Sequence, residues 1–248
     1  MNVNPHSRRF FVSDLSGDEV HPHPSEAHHA LHVLRLKGGD EVELFDGAGV
    51  VAAGVIGHVD RRNVVIRVTS RRRCPPPPPP AIGLAFAAPK GKRIDWLVEK
   101  ATELGAASLQ RVIFDRSPPA AKAESTAKSD KLLVHCISAA KQSGLNFLPE
   151  LPAPVTLAEI LTAREDSLRL LGDTGPGALP LAEAIEHAPA PLEAVSLLIG
   201  PEGGLTESER GESIAAGFVP VSVARTTLRT ETAAVALLAA TVASMPLK

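Results

Sequence analysis

Tyrosine is absent from this 248-residue chain, aromatic residues make up 3%, and there is one tryptophan. An RNA-binding sheet that stacks bases on aromatic rings is therefore disfavoured. Cysteine is almost missing. Cys74 and Cys136 stand far apart, which gives no disulfide framework and no zinc spacing and fits a reducing cytosol. An excess of one charge is also missing, since 26 basic residues face 28 acidic ones for a net charge of −2. That argues against a nonspecific nucleic-acid binder, whose affinity comes mainly from neutralising phosphates, but it leaves room for local basic patches. No apolar run reaches the roughly 18 residues of a membrane helix. The opening MNVNPHSRRFFV lacks the apolar core of a secretory signal, so a cytoplasmic protein is expected.

The chain does have a hydrophobic content of 44%, enough for one large domain or two modest ones. The most informative stretch runs from Val195 to Ala233. Val195, Leu197, Leu198 and Ile199 form the continuous apolar run of a strand covered on both faces. Gly200, Pro201, Gly203 and Gly204 follow, and Thr206 with Glu209 makes a T-x-x-E capping box that starts a helix. Glycines in such a loop serve either a purely steric turn or the close approach of a ligand to the backbone. The loop has no Lys-Ser/Thr after the glycines and no G-x-G-x-x-G spacing, so phosphate binding is not its favoured use. The design repeats downstream. Val219, Val221 and Val223 alternate as a strand does, Arg225 to Thr230 make a polar loop, and a nearly uncharged helix spans Thr232 to Met245. Such a helix is buried in the domain or against another subunit.

IGPEGGLTESE together with LRTETAA resembles the SPOUT class of S-adenosylmethionine (SAM)-dependent RNA methyltransferases. More narrowly it is similar to the RsmE family, which methylates N3 of a uridine in small-subunit (16S) ribosomal RNA. HHALHVLRLKGGDEVELFDGAG and RRFFV resemble that family's N-terminal PUA-like RNA-binding domain, and KGKRIDWLVEKATELG and Asp115-Arg116-Ser117 match further segments. The expected fold is therefore α/β: a C-terminal SPOUT-type α/β domain with a trefoil knot, plus a small N-terminal β-barrel PUA-like domain. Knots are nearly absent among folds, so the knot follows from the resemblance alone.

The rest of the chain divides accordingly. Short strands at Phe10–Val12, Glu41–Phe45, Val50–Ile56 and Val64–Val68, with a helix from Glu26 to Leu36 capped by Ser25, suggest a small barrel over residues 1–73. The helix carries His28, His29 and His32 without a matching acid or cysteine set, so no metal is expected. Six prolines, Pro75 to Pro80, form a linker over 74–80; polyproline II rises about 3.1 Å per residue, giving a stiff spacer of roughly 19 Å. Residues 81–248 alternate β and α elements, as in a mainly parallel sheet. They include strands at Ala81–Ala88 and Leu168–Leu171, helices at Arg93–Leu104 and Ser129–Gln142, and a second capping box at Thr156 and Glu159. Trp96 reads as packing, and Arg61, Arg62 and Arg71 to Arg73 as a solvated charge run.

The resemblance also implies a site. Loops at 172–175, 199–204 and 223–231 come together around SAM. Gly172, Leu198, Ile199, Gly200, Glu202, Gly203, Gly204, Val223, Leu228, Thr230 and Glu231 are its expected contacts. Arg8, Arg9, Arg35, Lys90, Lys92, Arg93 and Arg116 are expected to touch RNA, against the simpler reading of a solvated basic surface. Uracil N3 carries a proton and is a poor nucleophile until it leaves, so a fixed cation favours catalysis. Arg229 fits that role, or else pairs with Glu202 or Glu231. The implied partners are 16S RNA in the small subunit and a second copy of the chain, in a homodimer. Family members often carry Glu-Gln-x-Gly-Arg where this chain has Lys141 to Leu145, and Leu-Gly-Pro-Arg where it has Val223 to Thr226. These departures keep open a methyltransferase with another RNA target, such as a tRNA ribose 2′-oxygen, or an inactive RNA-binding assembly factor.

Overall fold

The computed structural model describes residues 8–23, 26–27, 30, 33–59, 64–118, 126–162 and 168–245. Ser25, His28, His29, His32, Arg61 and Arg62 lie outside the described residues. Two compact units emerge, one of residues 1–76 with 137–148, the other of residues 77–136 with 149–248.

The first unit is built on five strands, β1 (Arg9–Phe11), β2 (Glu19–Val20), β3 (Glu41–Phe45), β4 (Val50–Val59) and β5 (Val64–Arg73), in the order β1-β3-β4-β5-β2. β1 runs parallel to β3 and the other pairs are antiparallel. Alternation explains the burial: Val42, Leu44, Ile56, Val64 and Ile66 point into one core with Phe10, Val12 and Leu15. The β3–β4 turn follows from Asp46, whose carboxylate accepts the N–H groups of Ala48 at 2.7 Å and Val50 at 2.9 Å. Arg71 is not merely solvated. Its guanidinium donates to the carbonyls of Leu15 and Gly17 and ties that loop to β5.

Arg9, expected at the RNA surface, is instead 1% exposed. Its Nη2 donates to Asn146 Oδ1 at 2.5 Å, its Nε lies 3.0 Å from Glu43, and its Cζ sits 4.3 Å over the Phe45 ring. Burial lowers its pKa and the Glu43 carboxylate works against that. A guanidinium committed in this way is not available to a phosphate, and it holds the 137–148 segment to the sheet. Glu43 is partly exposed, so removing Arg9 strands no fully buried charge. Arg9→Met is accordingly expected to destabilise this unit by about 2 kcal/mol, read as a lower urea midpoint, with little change in RNA affinity once folding is intact.

Lys141 and Leu145, two of the departures from the family pattern, are also used inside this unit. Lys141 Nζ meets the Glu26 carboxylate at 2.7 Å and stands 5.2 Å over the Phe10 ring. Leu145 packs on the cluster of Phe45, Val51, Cys74 and Ala140. The reversed charge thus has its own local partner.

The second unit is a sheet of seven strands: β6 (Ala81–Ala87), β7 (Ser108–Ile113), β8 (Val155–Thr156), β9 (Leu168–Gly172), β10 (Leu179–Pro180), β11 (Ala194–Ile199) and β12 (Val219–Ser222), in the order β10-β12-β9-β11-β6-β7-β8. Every pairing in it is parallel. That is why β9 and β11 are apolar at most positions, with only Arg169 and Ser196 as polar members. Among the described residues six helices follow the first unit's strands: α1 (Arg93–Glu103), α2 (Thr126–Ser143), α3 (Leu157–Thr162), α4 (Leu181–Glu186), α5 (Glu207–Ala215) and α6 (Thr230–Ala243), with α2 counted in this unit up to Cys136 and in the first unit from Ile137. α1 buries the expected stripe of Ile94, Leu97, Val98 and Ala101, and α6 packs on α1, β6 and β11. Trp96 departs from expectation. It is 43% exposed, because it lies off the buried stripe. In α6 only Ala234, Leu237, Leu238 and Thr241 join Thr230 and Glu231 in burial, while Val235, Ala236, Ala239 and Val242 stay half-exposed.

Cys136 is fully buried, and that burial pushes its thiol up to about 11, against a weaker opposing pull from the Thr102 hydroxyl. It is a packing residue at neutral pH.

Candidate functional site

The carboxyl ends of three neighbouring strands converge because β9 lies between β11 and β12, with Gly172 in register with both Ile199 and Val221. In open α/β sheets this edge is where ligands bind. The loops leaving it, 173–177, 200–206 and 223–229, surround a cavity of ≈ 330 Å³, a size that suits a small organic ligand. Of the residues expected to contact SAM, Gly172, Ile199, Gly200, Glu202, Gly204, Val223, Leu228 and Thr230 line it, along with Ala224 and Thr226.

Several local devices fix these loops. Thr206 and Glu209 form the expected reciprocal capping box at the start of α5. Glu209 does more than cap. Its two carboxylate oxygens accept from Thr206 N and Asp115 N, each at 2.7 Å, and so join the 200–206 loop to the 115–117 loop. Arg116 donates to the Gly203 carbonyl at 2.7 Å. Gly204 has φ +70, a conformation most side chains resist, and its N–H bonds the Pro201 carbonyl at 2.8 Å. Thr230 Oγ1 reaches the Gly200 carbonyl at 3.3 Å and links the start of α6 to the same loop.

A second cavity, also of ≈ 330 Å³, is lined by Lys90, Arg116, Pro118 and Gly203. Pro201, Glu202 and Thr230 line both cavities, so the two meet along a seam formed by those residues. One compartment has a small-residue wall, and the other carries two cations.

Some expected residues fall elsewhere. Leu198 is fully buried in the cluster behind the loop and does not line the first cavity. Gly203 lines the second cavity rather than the first. Glu231 is buried, 3.7 Å from Arg93, with its Oε2 lacking a hydrogen-bond partner. Arg93 also pairs with Glu202, so the partner of the two glutamates is Arg93 and not Arg229. Arg229 is exposed at the N-cap of α6 and lines neither cavity. Lys90, Lys92 and Arg116 are exposed, and of these Lys90 and Arg116 line the second cavity. In the first unit Arg35 is exposed and Arg8 sits 3.4 Å from Asp40.

Sequence reasoning missed Asp173 and Arg210, which line the first cavity and pair at 2.7 Å. Burial alone would raise the Asp173 pKa. The Gly175 N–H, Arg210 and the Thr174 N–H outweigh it and hold the carboxyl below its usual range. A depressed carboxylate pKa keeps this link intact at neutral pH and releases it only as pH falls below the ordinary aspartate value. An acid immediately after a strand's last glycine was the available signal.

Among the described residues no cluster of three or more His, Cys, Asp or Glu could hold a metal, and no helix is long and apolar enough to cross a membrane.

The profile of an RNA methyltransferase domain matches residues 76–242, and that of an RNA methyltransferase PUA domain matches residues 24–69. The ribosomal RNA small subunit methyltransferase E of Synechocystis is 30% identical over 217 residues, 87% of this chain and 70% of that protein. The Bacillus subtilis protein of the same name is 26% identical, with 91% and 92% covered. A Legionella pneumophila methyltransferase solved with bound SAM superposes with a TM-score of 0.85 at 28% identity, covering 96% of this chain and 97% of that one. The small subunit methyltransferase E of Neisseria gonorrhoeae, also solved with SAM, gives 0.81 at 26% identity, covering 94% and 95%. With a SPOUT-type parallel sheet, a glycine-walled cavity at its carboxyl edge and a PUA-like unit ahead of it, this chain belongs to the RsmE family of RNA methyltransferases.

Proposed function

We propose that this protein transfers a methyl group from SAM to N3 of a uridine in small-subunit ribosomal RNA. The observation that carries the reading is the pair of cavities meeting at Pro201, Glu202 and Thr230. The first suits SAM, which has no phosphate: its wall is largely glycine, small apolar groups and backbone, with two carboxylates, Asp173 and Glu202, and one cation, Arg210, which is paired with Asp173. A Cβ on Gly172 would collide with Ile199, and one on Gly200 with Leu205, so both positions keep the space open. Bound there, SAM supplies an electrophilic methyl group on a sulfonium.

The residues around it have separable tasks. Gly172, Gly200, Gly204, Val223, Leu228 and Thr230 hold the cofactor. Leu198 supports their loop from the core. Lys90 and Arg116 line the second cavity, where an extruded base can sit with its developing negative charge beside them. Arg229 lies outside both cavities, so we assign charge stabilisation to Arg116 and Lys90. Arg8, Arg35 and Lys92 contact the RNA backbone, which positions the base without reading sequence. The half-exposed apolar side of α6 supports a homodimer, and likeness to enzymes that modify ribosomal RNA supports a cytoplasmic setting.

The test is methylation of small subunits prepared from cells lacking the modification, with labelled SAM and nucleoside mapping of the product. Label in N3-methyluridine is the expected result. Label in a 2′-O-methylated nucleoside, or none despite calorimetric SAM binding, would refute it.

A further inference from the structure

Glu202 borders both cavities, and its carboxylate is held by Arg93, which reaches Glu231 with the same Nη1. Resting on the function proposed above, we infer that Glu202 is the catalytic base that takes the proton from uracil N3, and that Arg93 is the residue that positions it. Three observations converge. A base must stand where donor and acceptor meet, and of the three residues on that seam only Glu202 carries a carboxylate that can take up a proton. The acid is oriented, since Arg93 on α1 engages Oε1 and leaves the second oxygen without an intramolecular partner among the described residues. Glu231, 9% exposed at the start of α6, fixes Arg93 from behind, and no hydrogen bond ties up its own Oε2. A single cation between two carboxylates leaves the cluster one negative charge in excess, as suits a site that must accept a proton.

The step balances. Glu202 takes the N3 proton onto a carboxylate oxygen, and the freed ring-nitrogen pair forms the bond to the methyl carbon. The electrons of the sulfur–methyl bond stay on sulfur, which ends as a neutral thioether, and Glu202 later gives its proton to water. The charged groups that face this carboxylate are Arg93 and Glu231 from the helices, Lys90 and Arg116 from the second cavity, and Asp173 and Arg210 across the first. Only Glu202 changes protonation in the step.

The experiment uses the full chain, small subunits lacking the modification, and single-turnover methylation from pH 6 to 9, with SAM affinity measured separately by calorimetry. The wild-type product is mapped first. If it is not N3-methyluridine, the proposed function fails, and the base assignment falls with it. With that product in hand, Glu202→Gln is expected to slow transfer roughly 100-fold or more at neutral pH while SAM affinity stays within about threefold. Its rate should then climb about tenfold per pH unit, as solvent removes the proton instead, whereas the wild-type rate levels off. A near wild-type rate, a loss that does not shrink with pH, or a parallel loss of SAM affinity would overturn the assignment. Arg93→Ala should lower the rate at least about tenfold with SAM affinity unchanged, and Arg93→Lys should recover part of it. No recovery by lysine, or no loss in alanine, would remove Arg93 from the positioning role.

Discussion

Gly172→Val is expected to cost the enzyme at least about 100-fold in SAM affinity, roughly 2.7 kcal/mol, while the chain stays folded. Gly172 ends β9 between β11 and β12. A Cβ there would collide with Ile199 Cδ1 and come within 3.6 Å of Leu237 Cδ2, and both side chains line the first cavity. The obstacle is the far end of a flexible side chain, so Ile199 yields by swinging into the space the cofactor needs. Valine suits a strand, and the strain of repacking is about 1–2 kcal/mol, which the fold survives. Gly203→Val is the matched control. Its Cβ would meet only Arg116 at 3.5 Å and 3.6 Å, and its backbone is not left-handed. SAM affinity should survive in that variant, because those distances are ordinary contacts and Gly203 lines the second cavity rather than the first. Calorimetry and thermal melting decide both. Unchanged affinity in Gly172→Val would mean the cavity at the strand ends is not the cofactor site.

The contrast between these two glycines shows how far the sequence could be read. GPEGGL marked the loop, and strand patterning put it at a carboxyl edge, because continuous apolar runs and capping boxes are local properties. Which glycine faces which compartment is not local. It depends on β9 lying between β11 and β12, an order that nothing in the spacing encodes. The same limit applies to charge. Arg9 sits beside Arg8 in a basic opening that looks like an RNA-facing pair, yet strand alternation sends Arg9 inward to Glu43 and Asn146 and leaves Arg8 partly exposed. Arg229 lies in the best-matched motif, but the Arg93 of a distant helix takes the glutamates expected to be its partners. Lys141 and Leu145 raised the question of an inactive protein, and both are spent on packing in the first unit. Ala224 and Thr226 do line the first cavity, so of the departures from the family pattern it is these that bear on the site proposed for the cofactor.

Glu209→Ala should have the second-largest effect, for a reason no capping rule supplies. The side chain is buried, and its two oxygens serve two separate loops: Thr206 N in its own capping box and Asp115 N, 94 residues away in sequence. Truncation leaves both N–H donors without a charged acceptor, and such bonds are worth about 1.5–3 kcal/mol each. Partial access to water at both donors brings the expected loss to about 3 kcal/mol. That corresponds to a fall in melting temperature of roughly 6–12 °C for a unit of this size. Glu209→Gln should fall between, because an amide keeps one acceptor but turns an NH₂ toward the other N–H. The functional loss should exceed what stability alone predicts. The 115–117 loop carries Arg116, which lines the second cavity and bonds the Gly203 carbonyl, so both walls of the seam depend on this one carboxylate. Hydrogen exchange in the folded variant should therefore rise at 115–117 and 203–206 together, with methyl transfer reduced at temperatures well below melting. Exchange that rises in only one of the two loops would show that they are held independently and that Glu209 is a helix cap alone.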